Sequence, residues 1–152
     1  MSPRSKLASL GLPLPTVSGP FGAYVPARQI GNLIFVAGQL PVKDGKLLAT
    51  GPVPSHCSLE NARAAARQCV VNGLAAVGSL GIDIDLLLSV VRVGVFVCSD
   101  AGFADQPKVA NAASELLLDL FGDAGRHARV AIGVNALPLD ASVEVEFLFE
   151  GR

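Results

Sequence analysis

The chain has 152 residues, 51% of them hydrophobic and only 16% charged, with a net charge of −1. That length suits one domain with a real core, and the charge balance excludes a global attraction to nucleic acid or an anionic membrane. Soluble domains average about 25% charged residues, so a monomer this poor in charge would expose broad apolar patches, and a homo-oligomer is expected.

Residues 1–19 read as an arm punctuated by proline and glycine, followed by a single domain over 20–152. The uncharged run 7–27 contains Pro13, Pro15, Pro20 and Pro26, which excludes a spanning helix. It also lacks the unbroken apolar core of a signal peptide. The segment AYVPARQIGNLIFVAGQLP (23–41) predicts a hairpin with strands over 23–29 and 33–37 and a turn at Gly31-Asn32. Residues 42–57 read as a loop, with Asp44-Gly45 as a further turn signal.

Ser58 is an N-cap for a helix predicted over 59–80, and Glu60 suits the positive end of its dipole. Its recurrent face (Ala62, Ala65, Ala66, Cys69, Gly73, Ala76) is mostly small, so this helix should lie close to its sheet. Asp83 and Asp85 read as a turn. SVVRVGVFVC (89–98), dense in β-branched residues, predicts a strand. Asp105 and Pro107 open a second helix that runs to about Phe121, with Gly122 as its stop and Val109, Ala113, Leu116, Leu117 and Leu120 as its buried stripe. Two strands, around Arg129 and Glu144, finish the chain and read most simply as a tight hairpin. The order β-β-α-β-α-β-β predicts an α+β fold, one mixed sheet with two helices on one face. The other face then has no cover from its own chain.

The chemistry concentrates at the C-terminal end. Arg129 heads an apolar strand and, counting by twos, shares a face with Ala131, Gly133 and Asn135. A strand-head arginine is usually a surface or ion-pair residue. Small neighbours favour a hollow in which a guanidinium could take a carboxylate in two parallel hydrogen bonds. His127 falls on the same face. Glu144 and Glu146 share a face of the last strand. A solvated face is the simple reading for Glu146, whereas Glu144 could hold a water or act as a base.

The remaining candidates are weaker. His56 and His127 have no ligand partners at zinc spacing. Gly73 and Gly78 have the outer spacing of a phosphate-binding loop, but Ser79-Leu80 replaces its Lys-Ser/Thr. Cys57, Cys69 and Cys98 are scattered and odd in number, which argues against a disulfide framework and a CxxC metal site. A reducing cytoplasm is their simplest home.

AYVPARQIGNLIFVAGQLP, VVRVGVFVCSDAGFADQPKVANAASELL and ARVAIGVNALPLDASVEVEF, in this order and spacing, resemble the RidA/YjgF family, the reactive-intermediate deaminases once grouped as endoribonuclease L-PSP proteins. The likeness covers roughly residues 20–150, and the proline-rich arm, FADQPKVAN and GDAGRHAR mark a divergent branch. The resemblance implies a chorismate-mutase-like fold packed as a homotrimer with pockets at subunit interfaces. It also implies that the last two strands are separated in the sheet, against the simple hairpin.

Carried over residue by residue, the family's carboxylate-binding arginine falls on Arg129 and its water-positioning glutamate on Glu144. Its pocket tyrosine falls on Tyr24, the glycine after the second strand on Gly38, and the asparagine of the second helix on Asn111. Three positions depart: Ala37 stands for the usual serine, Ala131 for a frequent cysteine, and His127 for a proline.

The activity the resemblance implies is hydrolysis of a 2-imino or 2-enamino acid to a 2-oxo acid and ammonia, without metal or organic cofactor. The alternative is a trimeric module that binds a small carboxylate metabolite without turning it over, which the two alanines favour. RNA cleavage ranks last, because the chain has no basic stripe. Chorismate mutase chemistry would need several cations around a dicarboxylate, and only Arg129 is evident.

Overall fold

The computed structural model describes residues 1–17 and 21–152. A short helix α1 (Pro3–Ser9) comes first, then strands β1 (Ala27–Ile30) and β2 (Leu33–Gln39) and a small hairpin of β3 (Val42–Lys43) and β4 (Lys46–Leu47). Helix α2 (Leu59–Gly78), β5 (Ser89–Cys98), α3 (Gln106–Phe121), β6 (Ala128–Val134) and β7 (Val143–Glu150) complete the chain. The main sheet has five strands in the order β1-β2-β7-β5-β6. Only the β5–β6 pair is parallel. Both helices pack on one face, α2 over β2 and β7, α3 over β5 and β6. The predicted α+β architecture is therefore the observed one.

The turns follow from residues that tolerate left-handed backbone. Gly31 takes φ 58° between β1 and β2, and Asp44-Gly45 takes φ 52° and 77° between β3 and β4. Both residues of a two-residue type I′ hairpin turn need positive φ. Helix α2 starts where expected: the Ser58 side chain accepts a hydrogen bond from the Asn61 N–H. It stops at Gly78, before the predicted Leu80. The Ser79 hydroxyl donates to the Ala76 carbonyl at 2.6 Å, competing with the helical backbone bonds there. Its small face does bring it close to the sheet, since a Cβ on Gly73 would lie 2.6 Å from the Phe147 ring.

The tight hairpin of the last two strands does not form. β7 lies between β2 and β5, and β6 is the far edge. The crossover β5-α3-β6 carries β6 beside β5 in parallel, as a right-handed connection does. The return turn, with Leu139 and Asp140 at φ 58° and 61°, then carries the chain back to the centre. Centrality suits β7, whose residues alternate buried and half-buried along its whole length. Val143, Val145, Phe147 and Phe149 meet the helices, while Glu144, Glu146, Leu148 and Glu150 face the open side.

Pro3–Ser9 is helical and docks on α3 and on a 3₁₀ turn at Ile84–Leu86. The boundary expected between residues 19 and 20 lies outside the described residues. Arg4 donates from its backbone to Asp85 at 2.8 Å and from its guanidinium to Asp83 at 3.0 Å. These are exposed contacts of small individual worth. The apolar anchor is Leu7, 1% exposed within the main core. Leu7→Ala is expected to cost about 2–3 kcal/mol, at the low end for a core leucine because a terminal helix can settle into the space. Urea unfolding checks this, and an unchanged midpoint would show that α1 docks without contributing to stability.

Candidate functional site

Arg129 lies on β6, opposite Val93 of β5; Ala131 and Gly133 oppose Val95 and Val97. All three valines are buried, so Arg129, Ala131 and Gly133 lie on the helix face, as the alternation predicts. The expected free hollow is smaller than the residue sizes suggest. A Cβ on Gly133 would lie 2.6 Å from the Gln106 amide nitrogen and 3.0 Å from the Ser99 hydroxyl. Side chains from other elements occupy the space that the strand's own residues leave.

The Arg129 guanidinium donates from Nη1 to Asn111 Oδ1 at 2.8 Å and to Ser114 Oγ at 3.2 Å. Asn111 and Ser114 are three residues apart on α3, hence on one helix face. Among the described residues no carboxylate pairs with Arg129. Two neutral oxygens therefore hold one nitrogen of the guanidinium, and its charge is not neutralised. Asn111 is a partner of the arginine. Sequence reasoning misses Ser114, although its spacing from Asn111 on a helix that packs on the sheet is a readable signal.

Glu144 projects from the opposite side of the sheet. It lies opposite the half-buried Phe96 and close over Gly38, where a Cβ would lie 2.2 Å from Glu144 Oε1. The irregular register between Val36 and Gln39 brings Gly38 to this place. The absent side chain at Gly38 is what lets the carboxylate lie there. Burial, and then the neighbouring Glu146 charge, push the Glu144 carboxyl above its ordinary range. Glu146 itself pairs with Arg92 at 3.0 Å.

The raised Glu144 value has a stability consequence with a defined sign. The folded state favours the protonated acid more than the unfolded chain does. Ionised Glu144 therefore costs stability above its folded pKa and costs nothing below the unfolded value. Glu144→Gln is expected to raise the melting temperature slightly at pH 7–8 and leave it unchanged near pH 4. The group is partly exposed, so the gain is about a few tenths of a kcal/mol. Thermal melts at the two pH values check it, and a loss at pH 7 would reverse the sign.

Tyr24 is 61% exposed and precedes β1, at the sheet edge opposite to Arg129. With Phe21, whose ring centroid is 6.1 Å away, it lines a cavity of about 910 Å³ that includes neither Arg129 nor Glu144. One protomer thus carries two separate groups. Arg129 and Asn111 sit at the β6 edge on the helix face. Glu144 and Gly38 sit on the open face nearer the other edge, on which Tyr24 also lies.

Among the described residues, no group of three or more histidines, cysteines and carboxylates could hold a metal ion. The three cysteines are buried and free. No helix among the described residues is long and apolar enough to cross a membrane.

Residues 4–151 match the family model described as "YjgF/chorismate_mutase-like, putative endoribonuclease". The protein TCP17 of Trypanosoma cruzi is 39% identical over 147 residues, 96% of this chain and 92% of the relative. The 2-iminobutanoate/2-iminopropanoate deaminase of Escherichia coli is 32% identical, with 82% and 84% of the two chains covered. Among solved structures, the Agrobacterium tumefaciens protein Atu1372, of unknown function, superposes with a TM-score of 0.92 at 38% identity, covering 99% of this chain and 92% of its own. The E. coli YjgF gene product superposes with a TM-score of 0.62 at 28% identity, covering 88% and 91%.

Proposed function

This chain belongs to the RidA/YjgF (YjgF/chorismate-mutase-like) family, and on that footing we propose that it hydrolyses a 2-imino or 2-enamino acid to the 2-oxo acid and ammonia. The observation that carries the proposal is Arg129. Its guanidinium is held by Asn111 and Ser114 on one nitrogen and has no carboxylate partner among the described residues. It is thereby prepared for a carboxylate supplied by a ligand, in the bidentate geometry that arginine favours.

The reactive centre is assembled between copies of the chain. β6 is a long edge strand with unpaired backbone groups and an exposed Ile132, and Leu33 and Phe35 are exposed on the open face. Natural proteins rarely leave such an edge and face bare. On this reading Arg129 and Asn111 of one copy lie against Tyr24, Gly38 and Glu144 of the next in a homotrimer, the assembly that the family resemblance implies. A native mass measurement tests the trimer.

In that composite pocket Arg129 fixes the substrate carboxylate and hence the adjoining imine carbon. Glu144 holds a water and accepts its proton as the oxygen adds to that carbon. Glu144 then returns that proton to the nitrogen of the carbinolamine, the C–N bond breaks to release ammonia, and the hydroxyl proton leaves to solvent as the 2-oxo acid forms. A carboxyl raised above its ordinary range is a better base at neutral pH than an unperturbed one. Positioning supplies much of the rate, because the protonated imine is already electrophilic. No cofactor takes part in this scheme.

The test is ammonia release from 2-iminobutanoate formed in situ by an amino-acid oxidase. Acceleration over buffer that depends on Arg129 is the expected result. No acceleration, or equal rates for the wild type and Arg129→Ala, overturns the enzyme reading. The second reading, a binding module, is favoured by apolar Ala131, which packs against the core beside Arg129. Stabilisation by 2-oxo acids that needs Arg129, without turnover, supports that reading.

A further inference from the structure

We infer that Ser114 and His127 are positioning residues that hold Arg129 ready for a ligand carboxylate, through a hydrogen-bond chain that ends on the Gly125 backbone. The inference rests on the proposed role of Arg129.

The polarity of the chain follows from what each atom can do. The Gly125 carbonyl can only accept, so His127 Nδ1, 2.6 Å away, carries a proton and donates. In the Nδ1–H tautomer the other ring nitrogen, Nε2, is an acceptor. It lies 2.9 Å from Ser114 Oγ and accepts a hydrogen bond from that hydroxyl. The Ser114 oxygen keeps its lone pairs for the Arg129 Nη1 donor at 3.2 Å. Every link donates in one direction, from Arg129 to Ser114 to His127 to Gly125, and links of one polarity strengthen each other.

The far end of the chain is closely packed. Gly125 is buried against the last turns of α3, where a Cβ would lie 2.5 Å from the Leu117 carbonyl oxygen. Asn111 holds the same guanidinium nitrogen at 2.8 Å. The clamp thus uses one nitrogen, and Nη2 and Nε remain for the ligand. An arginine fixed in this way loses less conformational freedom when the ligand arrives. The chain also gives a physical use to His127, the position at which this sequence has no proline.

The experiment measures the dissociation constant of 2-oxobutanoate by calorimetry on the full-length protein. It needs no turnover, so it reads the clamp under either functional reading. Ser114→Ala and His127→Ala should each weaken binding about 5- to 10-fold, with little change in melting temperature. Because both cut one chain, the double variant should bind no more weakly than the worse single variant. Ser114→Thr, which keeps the hydroxyl, should restore affinity. Effects of the two single variants that multiply in the double, or affinity unchanged in both while Arg129→Ala abolishes binding, overturn the inference and leave the role of Arg129 standing. Binding unchanged in Arg129→Ala overturns that role, and the inference with it.

Discussion

Arg129→Ala is expected to lower kcat/KM for an imino acid by about 10²–10³-fold, a loss of roughly 3–4 kcal/mol of transition-state stabilisation. The magnitude reflects a charge-assisted, two-bond contact that also fixes the reacting carbon. Removing it loses affinity and alignment together. Arg129→Lys should recover little, because an ammonium is a point charge. It cannot keep one nitrogen on Asn111 and Ser114 while offering a planar pair of donors to the ligand. The fold should hardly notice either change: the side chain is exposed and pairs with no carboxylate among the described residues, so the melting temperature should stay within the range of ordinary surface substitutions. Steady-state kinetics beside a thermal melt separates the two effects. A loss of activity that tracks a loss of stability would place the role of Arg129 in folding.

Gly38→Ala should lower kcat by about 10²-fold, within the usual range for a misplaced acid–base group, and leave carboxylate binding intact. The new methyl would sit 2.2 Å from Glu144 Oε1, closer than atoms can approach. The atom in its way is the end of a flexible side chain, so Glu144 swings aside and the backbone stays. The substitution removes the water-holder from its place without removing the carboxylate. Gly38→Ala combined with Glu144→Gln should therefore be no slower than Glu144→Gln alone, since both delete the same function. Measured kcat values for the three variants, with 2-oxobutanoate affinity as the control, decide it. A Gly38→Ala enzyme that turns over at the wild-type rate would show that Glu144 is not needed where it stands.

The sequence by itself determined the long elements, whose causes are local, but not α1 or the short β3–β4 hairpin, which it reads as an arm and a loop. The β-branched run 89–98 is a strand over those residues, Ser58 caps the start of α2, Gly122 ends α3, and Asp44-Gly45 is a turn. Alternation placed Arg129 with Ala131 and Gly133, and Glu144 with Glu146. These follow from periodicity and from backbone preferences within a few residues.

Only the tertiary structure decided what depends on neighbours far along the chain. It put β5 between β6 and β7, the separation that the family resemblance implies and the local pattern does not, because β7 pairs with β2 and β5 while β6 takes the far edge. It filled the space beside Gly133 with Gln106 and Ser99, residues of other elements that strand counting cannot place. It tied Arg129 to Asn111 and Ser114, and Ser114 to His127, contacts fixed by how α3 lies on the sheet. It also put Arg129 and Glu144 on opposite faces. Two strand periods cannot be phased against each other until their pairing is known, and here the pairing runs through the buried valines of β5.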